Sequence, residues 1–163
     1  MNVSAPSVVD GAVGLVGWLV LCFGAAAVGA RFRPGEWYAG LRKPPWNPPN
    51  AVFAPVWTVL YAMMAVAAWL VWRQTGLSSE CALFLLQLAL NGLWTWLFFG
   101  LKRPALALAD ILVLWLAIGA TLTAFWHVRA LAGLLLVPYL AWVTFAAALN
   151  AAVWRLNKEK RPG

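Results

Sequence analysis

The chain has 163 residues, of which 64% are apolar and only 10% are charged, and its formal net charge is +7. Disorder is excluded because it requires low hydrophobicity and high charge, and an ordinary soluble globule of this size could not cover so much apolar surface. A membrane span takes about 20 apolar residues, so the composition predicts one helical membrane domain over residues 1–163.

Five long apolar segments follow one another along the chain. Each is about as long as a helix needs to cross ~30 Å of hydrocarbon. Barrel strands are excluded because the segments are continuously apolar and do not alternate. The predicted helices cover about residues 11–30, 51–72, 80–100, 104–126 and 131–154. The predicted fold class is therefore an all-α membrane protein, a bundle of five transmembrane helices.

The connection between the first two predicted helices is the longest and holds five of the ten prolines. Its stretch "KPPWNPP" (Lys43–Pro49) cannot be regular helix, because proline lacks an N–H donor and biases the preceding residue toward extended conformations. The stretch "PGEWYAGL" (Pro34–Leu41) predicts one short amphipathic helix. We expect this segment to fold over one mouth of the bundle as a lid. The expected lid residues are Trp37, Pro44, Pro45 and Trp46.

The charges of the connections predict the orientation. Ten cations fall on one side of the predicted bundle, namely Arg31, Arg33, Arg42, Lys43, Lys102, Arg103, Arg155, Lys158, Lys160 and Arg161. The other side carries only Arg73 and Arg129. By the positive-inside rule this predicts an outside N-terminus and a cytoplasmic C-terminus. A basic protein can also bind nucleic acid, but these cations lie between apolar runs, so we expect no such partner.

Polar and aromatic side chains recur at helical spacing on three predicted helices. The stripes are Phe53, Trp57 and Tyr61 on the second, Gln87, Asn91, Trp94 and Phe98 on the third, and Trp142, Ala146 and Asn150 on the fifth. Helix packing alone could explain any one of them. Together they indicate an aromatic-walled cavity with a few polar groups, suited to flat, polycyclic, mostly apolar ligands.

Four single polar residues within or beside the predicted helices are possible functional groups. Asp110 is the only acid well inside a predicted span; it is either a proton relay or a buried acid bonded to its own helix or to a cation such as Arg103. The sole histidine, His127, is expected at the interface and not as a haem ligand. Cys22 and Cys81 have no metal-ligand spacing, so we expect inert thiols and no metal site.

Small residues and terminal tryptophans bear on assembly and anchoring. Glycine and alanine recur on the first and third predicted helices. Such faces favour close helix contacts, either in a homodimer or within one chain. Trp72, Trp126 and Trp154 lie at segment ends, where interfacial anchors are common.

Seven motifs occur in order from Trp37 to Arg155: "WYAGLRKPPWNPP", "FAPVWTVLYAMM", "QLALN", "FFG", "ALAD", "PYLAW", and "LN" followed by "WR". In this order they resemble the TspO/MBR family. That family comprises bacterial tryptophan-rich sensory proteins and the mitochondrial translocator protein, also called the peripheral-type benzodiazepine receptor. The resemblance implies a five-helix bundle that binds porphyrins (protoporphyrin IX or haem), cholesterol-like lipids and synthetic benzodiazepine or isoquinoline ligands. It also implies a homodimer and a lid formed by the first connection.

The resemblance implies that Trp57, Asn91, Trp94, Trp142, Ala146 and Leu149 line the pocket. Phe53 and Tyr61 of the aromatic stripe, Ala54, and Ala109 beside Asp110 on the fourth helix complete the expected ligand-binding residues. Trp57 and Trp142 match two tryptophans implicated in the light-dependent degradation of protoporphyrin IX by some bacterial members. The implied function is a sensor, regulator or carrier of tetrapyrroles with no obligatory cofactor; a porphyrin-degrading enzyme and a transporter are the alternatives.

One departure from the family pattern concerns sterols. Animal members carry a cholesterol motif with a tyrosine on the fifth helix, whereas residues 151–155 here read Ala-Ala-Val-Trp-Arg. The missing tyrosine weighs against sterol recognition, although such motifs are weak. It suits a bacterial member, in either the inner or the outer membrane.

Overall fold

The protein is described by a computed structural model, which covers residues 8–32 and 34–158. Its helices are α1 (Val8–Gly29), α2 (Glu36–Ala39), α3 (Asn50–Thr75), α4 (Ser79–Thr95), α5 (Pro104–Val128) and α6 (Ala130–Asn157), and α4 continues as a π-helical segment over Trp96–Gly100. Five of these helices are long and apolar enough to cross a membrane. The predicted five-helix membrane fold is confirmed, and α2 confirms the short helix expected in the first connection.

The short connections follow from local sequence. Gly76, after α3, has a φ of +68°, a left-handed conformation that glycine adopts without a steric penalty. Pro104 opens α5, where its missing N–H would have no helical partner. Only Arg129 separates α5 from α6. These turns place consecutive helices side by side and antiparallel.

The core is formed where α5 packs against α4 and α6, and where α3 packs against α1 and α6. Phe84 of α4 stacks on Phe125 of α5 with ring centroids 5.9 Å apart, and Trp18 of α1 meets Phe84 edge-on at 5.6 Å. Leucines and valines remain exposed on the outer faces of the spans. In a bilayer those faces meet hydrocarbon, so the pattern suits a membrane-embedded bundle.

A glycine allows α1 to approach α3 closely. A Cβ atom at Gly14 would overlap the indole of Trp72. One turn earlier on each helix, Trp69 Nε1 donates a 2.7 Å hydrogen bond to the carbonyl of Gly11. Trp72, expected only as an interfacial anchor, therefore also packs between two helices.

Asp110 lies on the buried face of α5. Its Oδ2 has no hydrogen-bond partner among the described residues, and Arg103 is exposed. Of the alternatives left open for Asp110, the described residues show no bond from this oxygen to Arg103 or to the first turn of its own helix.

Candidate functional site

A cavity of about 420 Å³ lies between α1, α3, α4, α6 and the first connection. Ligand pockets commonly measure about 300–1,000 Å³ and are lined mainly by apolar side chains. The lining residues are Phe23, Ala26 and Gly29 of α1; Ala30, Phe32, Pro34 and Tyr38 of the first connection; Asn50, Phe53, Ala54, Trp57, Thr58 and Tyr61 of α3; Asn91, Trp94, Thr95, Phe98 and Phe99 of α4 and its π-helical end; and Trp142, Ala146, Leu149, Asn150 and Val153 of α6. All members of the three stripes except Gln87 thus face one space.

Nine of the ten side chains expected to bind ligand line this cavity, and Ala109 does not. The nine are Phe53, Ala54, Trp57, Tyr61, Asn91, Trp94, Trp142, Ala146 and Leu149. Ala109 is exposed, because the face of α5 that carries Ala107, Asp110 and Ile111 is turned toward the bundle. Ala109 lies on the opposite side of the helix and points outward. The expectation that Ala109 contributes to the cavity is therefore wrong.

Two tryptophans from different helices form the aromatic walls. Trp57 of α3 lies with its ring 5.6 Å from Tyr61 and 6.2 Å from Tyr139. Trp142 of α6 lies 5.8 Å from Phe53 and 5.4 Å from Phe145. The indole N–H of Trp142 is buried and has no hydrogen-bond partner among the described residues. Its position is thus set by apolar packing and not by a hydrogen bond of the indole.

A chain of hydrogen bonds joins three helices at one end of the cavity. The Tyr61 hydroxyl donates to Asn91 Oδ1 at 3.1 Å, and Asn91 Nδ2 donates to the Tyr139 hydroxyl at 2.8 Å. Tyr139 in turn donates to Gln87 Oε1 at 2.9 Å. Buried polar groups are normally satisfied in this way. The amide of Asn91 is therefore held in one orientation where it borders the cavity.

Trp94 is fixed by a second set of polar contacts. Its Nε1 donates to Asn150 Oδ1 at 3.0 Å, and Asn150 Nδ2 donates to the Pro104 carbonyl at 2.8 Å. The Trp94 ring stacks on Phe98 at 5.5 Å. The π-helical turn lets the consecutive residues Phe98 and Phe99 both face the cavity, and such turns are frequent at functional sites.

The first connection is attached to the bundle through its short helix and again through the residues that follow that helix. Tyr38 is buried against Phe99, with ring centroids 5.5 Å apart. Burial raises the pKa of the Tyr38 phenol above its ordinary value. Farther along, Arg42 and Asn157 of α6 exchange two hydrogen bonds through the Arg42 backbone, at 3.0 and 2.9 Å. The connection therefore has a defined place over α4 and α6.

The four residues expected to form a lid sit differently from one another. Pro44 is buried, and Trp37 is half-buried with its ring 5.9 Å from Phe98. Pro45 and Trp46 are exposed, although Trp46 touches Phe145 at 5.8 Å. None of the four belongs to the cavity lining, which the connection reaches through Ala30, Phe32, Pro34 and Tyr38 instead.

Several lining residues were not expected from the sequence. Phe23 and Ala26 of α1 lie three apart, and Ala30 continues the same face. This spacing indicates one face of α1. Because α1 is uniformly apolar, no polar residue distinguishes that face from the others. Tyr139, which carries the hydrogen-bond chain behind the lining, lies three residues before Trp142 and could have been found by that spacing.

His127 and the cysteines lie apart from the cavity. His127 is exposed in the last turn of α5. Cys22 and Cys81 are buried free thiols. Across the described residues no cluster of three or more His, Cys, Asp and Glu side chains could hold a metal ion.

Comparison with known proteins bears directly on these motifs. The profile described as TspO/MBR family matches residues 17–155. The chain belongs to the TspO/MBR family. It is 47% identical over 140 residues to a tryptophan-rich sensory protein of Cereibacter sphaeroides, covering 86% of this chain and 89% of that protein. It is 45% identical over 152 residues to protein CrtK of Rhodobacter capsulatus, with coverages of 89% and 93%.

The likeness extends to animal members of the TspO/MBR family. The human translocator protein is 46% identical over 144 residues, which cover 83% of this chain and 85% of the human protein. Together with the five apolar helices, family membership identifies the chain as a multi-pass membrane protein.

Proposed function

We propose that this TspO/MBR membrane protein binds porphyrins, such as protoporphyrin IX or haem, and related flat hydrophobic ligands in the cavity, and thereby senses or carries tetrapyrroles. The observation that carries the proposal is that Trp57 and Trp142, on different helices, line the same cavity of about 420 Å³. Aromatic faces stack favourably on flat conjugated rings. Asn91 adds a fixed polar group at the wall.

Cations beside the cavity favour porphyrins over wholly apolar ligands. Lys43 Nζ lies 4.5 Å from the centroid of the Tyr38 ring, which itself lines the cavity. Arg31 and Arg42 are exposed on the same connection. Protoporphyrin IX and haem carry carboxylates on one edge of an apolar macrocycle. These cations would attract that edge while the macrocycle occupies the aromatic interior.

The first connection is proposed to cover the cavity. Tyr38 contributes to the lining, and the Arg42–Asn157 hydrogen bonds tie the following residues to α6. A cover attached at this point would exclude water and strengthen the polar contacts beneath it.

Titration with protoporphyrin IX tests the proposed function. We expect saturable binding, seen as a shift in porphyrin absorbance. In Trp57→Ala we expect roughly tenfold weaker affinity, since removing an aromatic stacking partner costs about 1–3 kcal/mol. The affinity of Trp57→Phe, which keeps an aromatic ring, should lie between that of the unaltered protein and that of Trp57→Ala. The matched control is Trp126→Ala, because Trp126 is 46% exposed and lies outside the lining. Equal affinities for Trp57→Ala and Trp126→Ala would contradict the proposal.

The orientation is proposed from the charge bias, with the N-terminus outside and the C-terminus cytoplasmic. Lys102 and Arg129 are both exposed and lie at opposite ends of α5. A membrane-impermeant maleimide applied to intact cells should label Arg129→Cys and spare Lys102→Cys. The native cysteines are buried and should contribute little background. The reverse labelling pattern would overturn the orientation.

A further inference from the structure

A second concavity, of about 600 Å³, lies on the outside of the bundle between α3 and α6. Apolar residues line it, among them Pro55, Val59 and Met63 of α3 and Pro138 and Phe145 of α6. Both helices are membrane spans, so hydrocarbon faces this groove in a bilayer. The α3–α6 groove is thus open to any molecule dissolved in the membrane core.

Trp142 belongs to the lining of both the α3–α6 groove and the interior cavity. A single indole therefore contributes to the wall between the bilayer and the ligand space. Its N–H has no partner among the described residues. Rotating Trp142 away would break its ring contacts with Phe53 and Phe145 but no hydrogen bond.

Each helix that flanks the groove contains an internal proline at the groove itself. Pro55 and Pro138 lie inside α3 and α6 and line the groove. Proline cannot donate to the carbonyl four residues earlier, and its ring crowds that turn, so a helix bends more easily there. The two helices therefore have their most deformable turns beside Trp142.

We propose that the α3–α6 groove is a lateral entrance, through which a flat apolar ligand passes from the membrane core into the cavity by displacing Trp142. The inference rests on the proposed function, because it assigns a route to the same ligand. The apolar macrocycle of such a ligand partitions into the bilayer, so the effective concentration of the ligand is highest on the lipid side. Entry by this route requires no crossing of the charged first connection.

The test is the kinetics of protoporphyrin IX transfer from vesicles to the protein in lipid nanodiscs. Val59 is 57% exposed in the groove and is absent from the cavity lining, whereas Val113 is 54% exposed on α5, away from both. Val59→Trp should fill the entrance, and Val113→Trp adds the same bulk elsewhere on the lipid-facing surface. We expect Val59→Trp to slow association and dissociation equally, by roughly tenfold, within the 1–3 decades over which association rates vary among related mutants.

An unchanged dissociation constant with both rates reduced supports the entrance, because blocking a path alters rates but not the end states. Equal rates in Val59→Trp and Val113→Trp would overturn it. Weaker equilibrium binding by Val59→Trp at an unchanged association rate would also overturn it, because the groove would then be part of the cavity wall and not a path to the cavity. Met63→Trp, also in the groove, serves if Val59→Trp does not fold. Absence of binding by the unaltered protein would instead reject the proposed function.

Discussion

Tyr139 is the residue on which the polar contacts behind the cavity converge. Its hydroxyl accepts from Asn91 and donates to Gln87, so it links α6 to two amides of α4. Its ring is fully buried and lies 6.2 Å from Trp57. The loss of this one oxygen would leave an amide donor and an amide acceptor without partners inside a membrane span.

Tyr139→Phe tests that role while keeping the ring. We expect the free energy of unfolding to fall by about 1–2 kcal/mol, the range for unpaired buried groups and for strong interhelical hydrogen bonds in membranes. The measurement is reversible unfolding in detergent micelles. Tyr38→Phe is the matched control, since the Tyr38 hydroxyl makes only a 3.5 Å contact with Asn47. A loss for Tyr139→Phe no greater than that for Tyr38→Phe would contradict the account.

Residue spacing predicted most of the cavity because aromatic side chains recur beside amides every three or four residues, which marks one face of a helix. Trp57, Asn91 and Trp142 were recoverable for this reason. The prediction for Ala109 was wrong because an alanine occurs equally well on an inner and on an outer helix face. The lining residues of the first connection were missed because helical periodicity does not apply to an irregular segment.

At the scale of helices, α1 and α3 approach each other closely at Gly14. Gly14 lies against the indole of Trp72, with no room for a side chain, whereas Gly17, less than one turn later, has open space around its Cα. The two glycines share a helix and differ in surroundings, which makes them a matched pair.

We expect Gly14→Ala to destabilise the protein, because overpacking costs about 1–3 kcal/mol and exceeds the gain in helix propensity. Gly17→Ala should be neutral or stabilising by up to about 1 kcal/mol, since only the propensity changes. Thermal denaturation of the two variants in the same detergent compares them. If Gly14→Ala is as stable as Gly17→Ala, α1 does not pack against Trp72 as described.

The helices themselves were predictable, since each span is long, apolar and bounded by proline, glycine or charge. The ends of α3 and α6 extend three residues beyond the predicted ends, to Thr75 and Asn157. The π-helical turn at Trp96–Gly100 was not predictable, because it depends on how the aromatic rings of that segment pack against the first connection and α6.

For the whole molecule, the proposed binding in the cavity and the proposed entry through the α3–α6 groove together describe one route for the ligand. The aromatic interior accounts for several of the twelve tryptophans, and Trp142 connects that interior to the lipid-facing surface. Composition predicted the membrane, and the apolar segments along the sequence predicted the number of spans. Neither could predict the α3–α6 groove, because that feature depends on which two helices the tertiary fold brings together.

The most direct test of the central claim is an experimental structure of the protein with protoporphyrin IX bound. The account predicts a macrocycle in contact with Trp57, Trp94 and Trp142, beside Asn91, and with its carboxylates toward Lys43. A porphyrin held solely on the outer surface, with the cavity side chains placed as described here and no ligand between them, would contradict it.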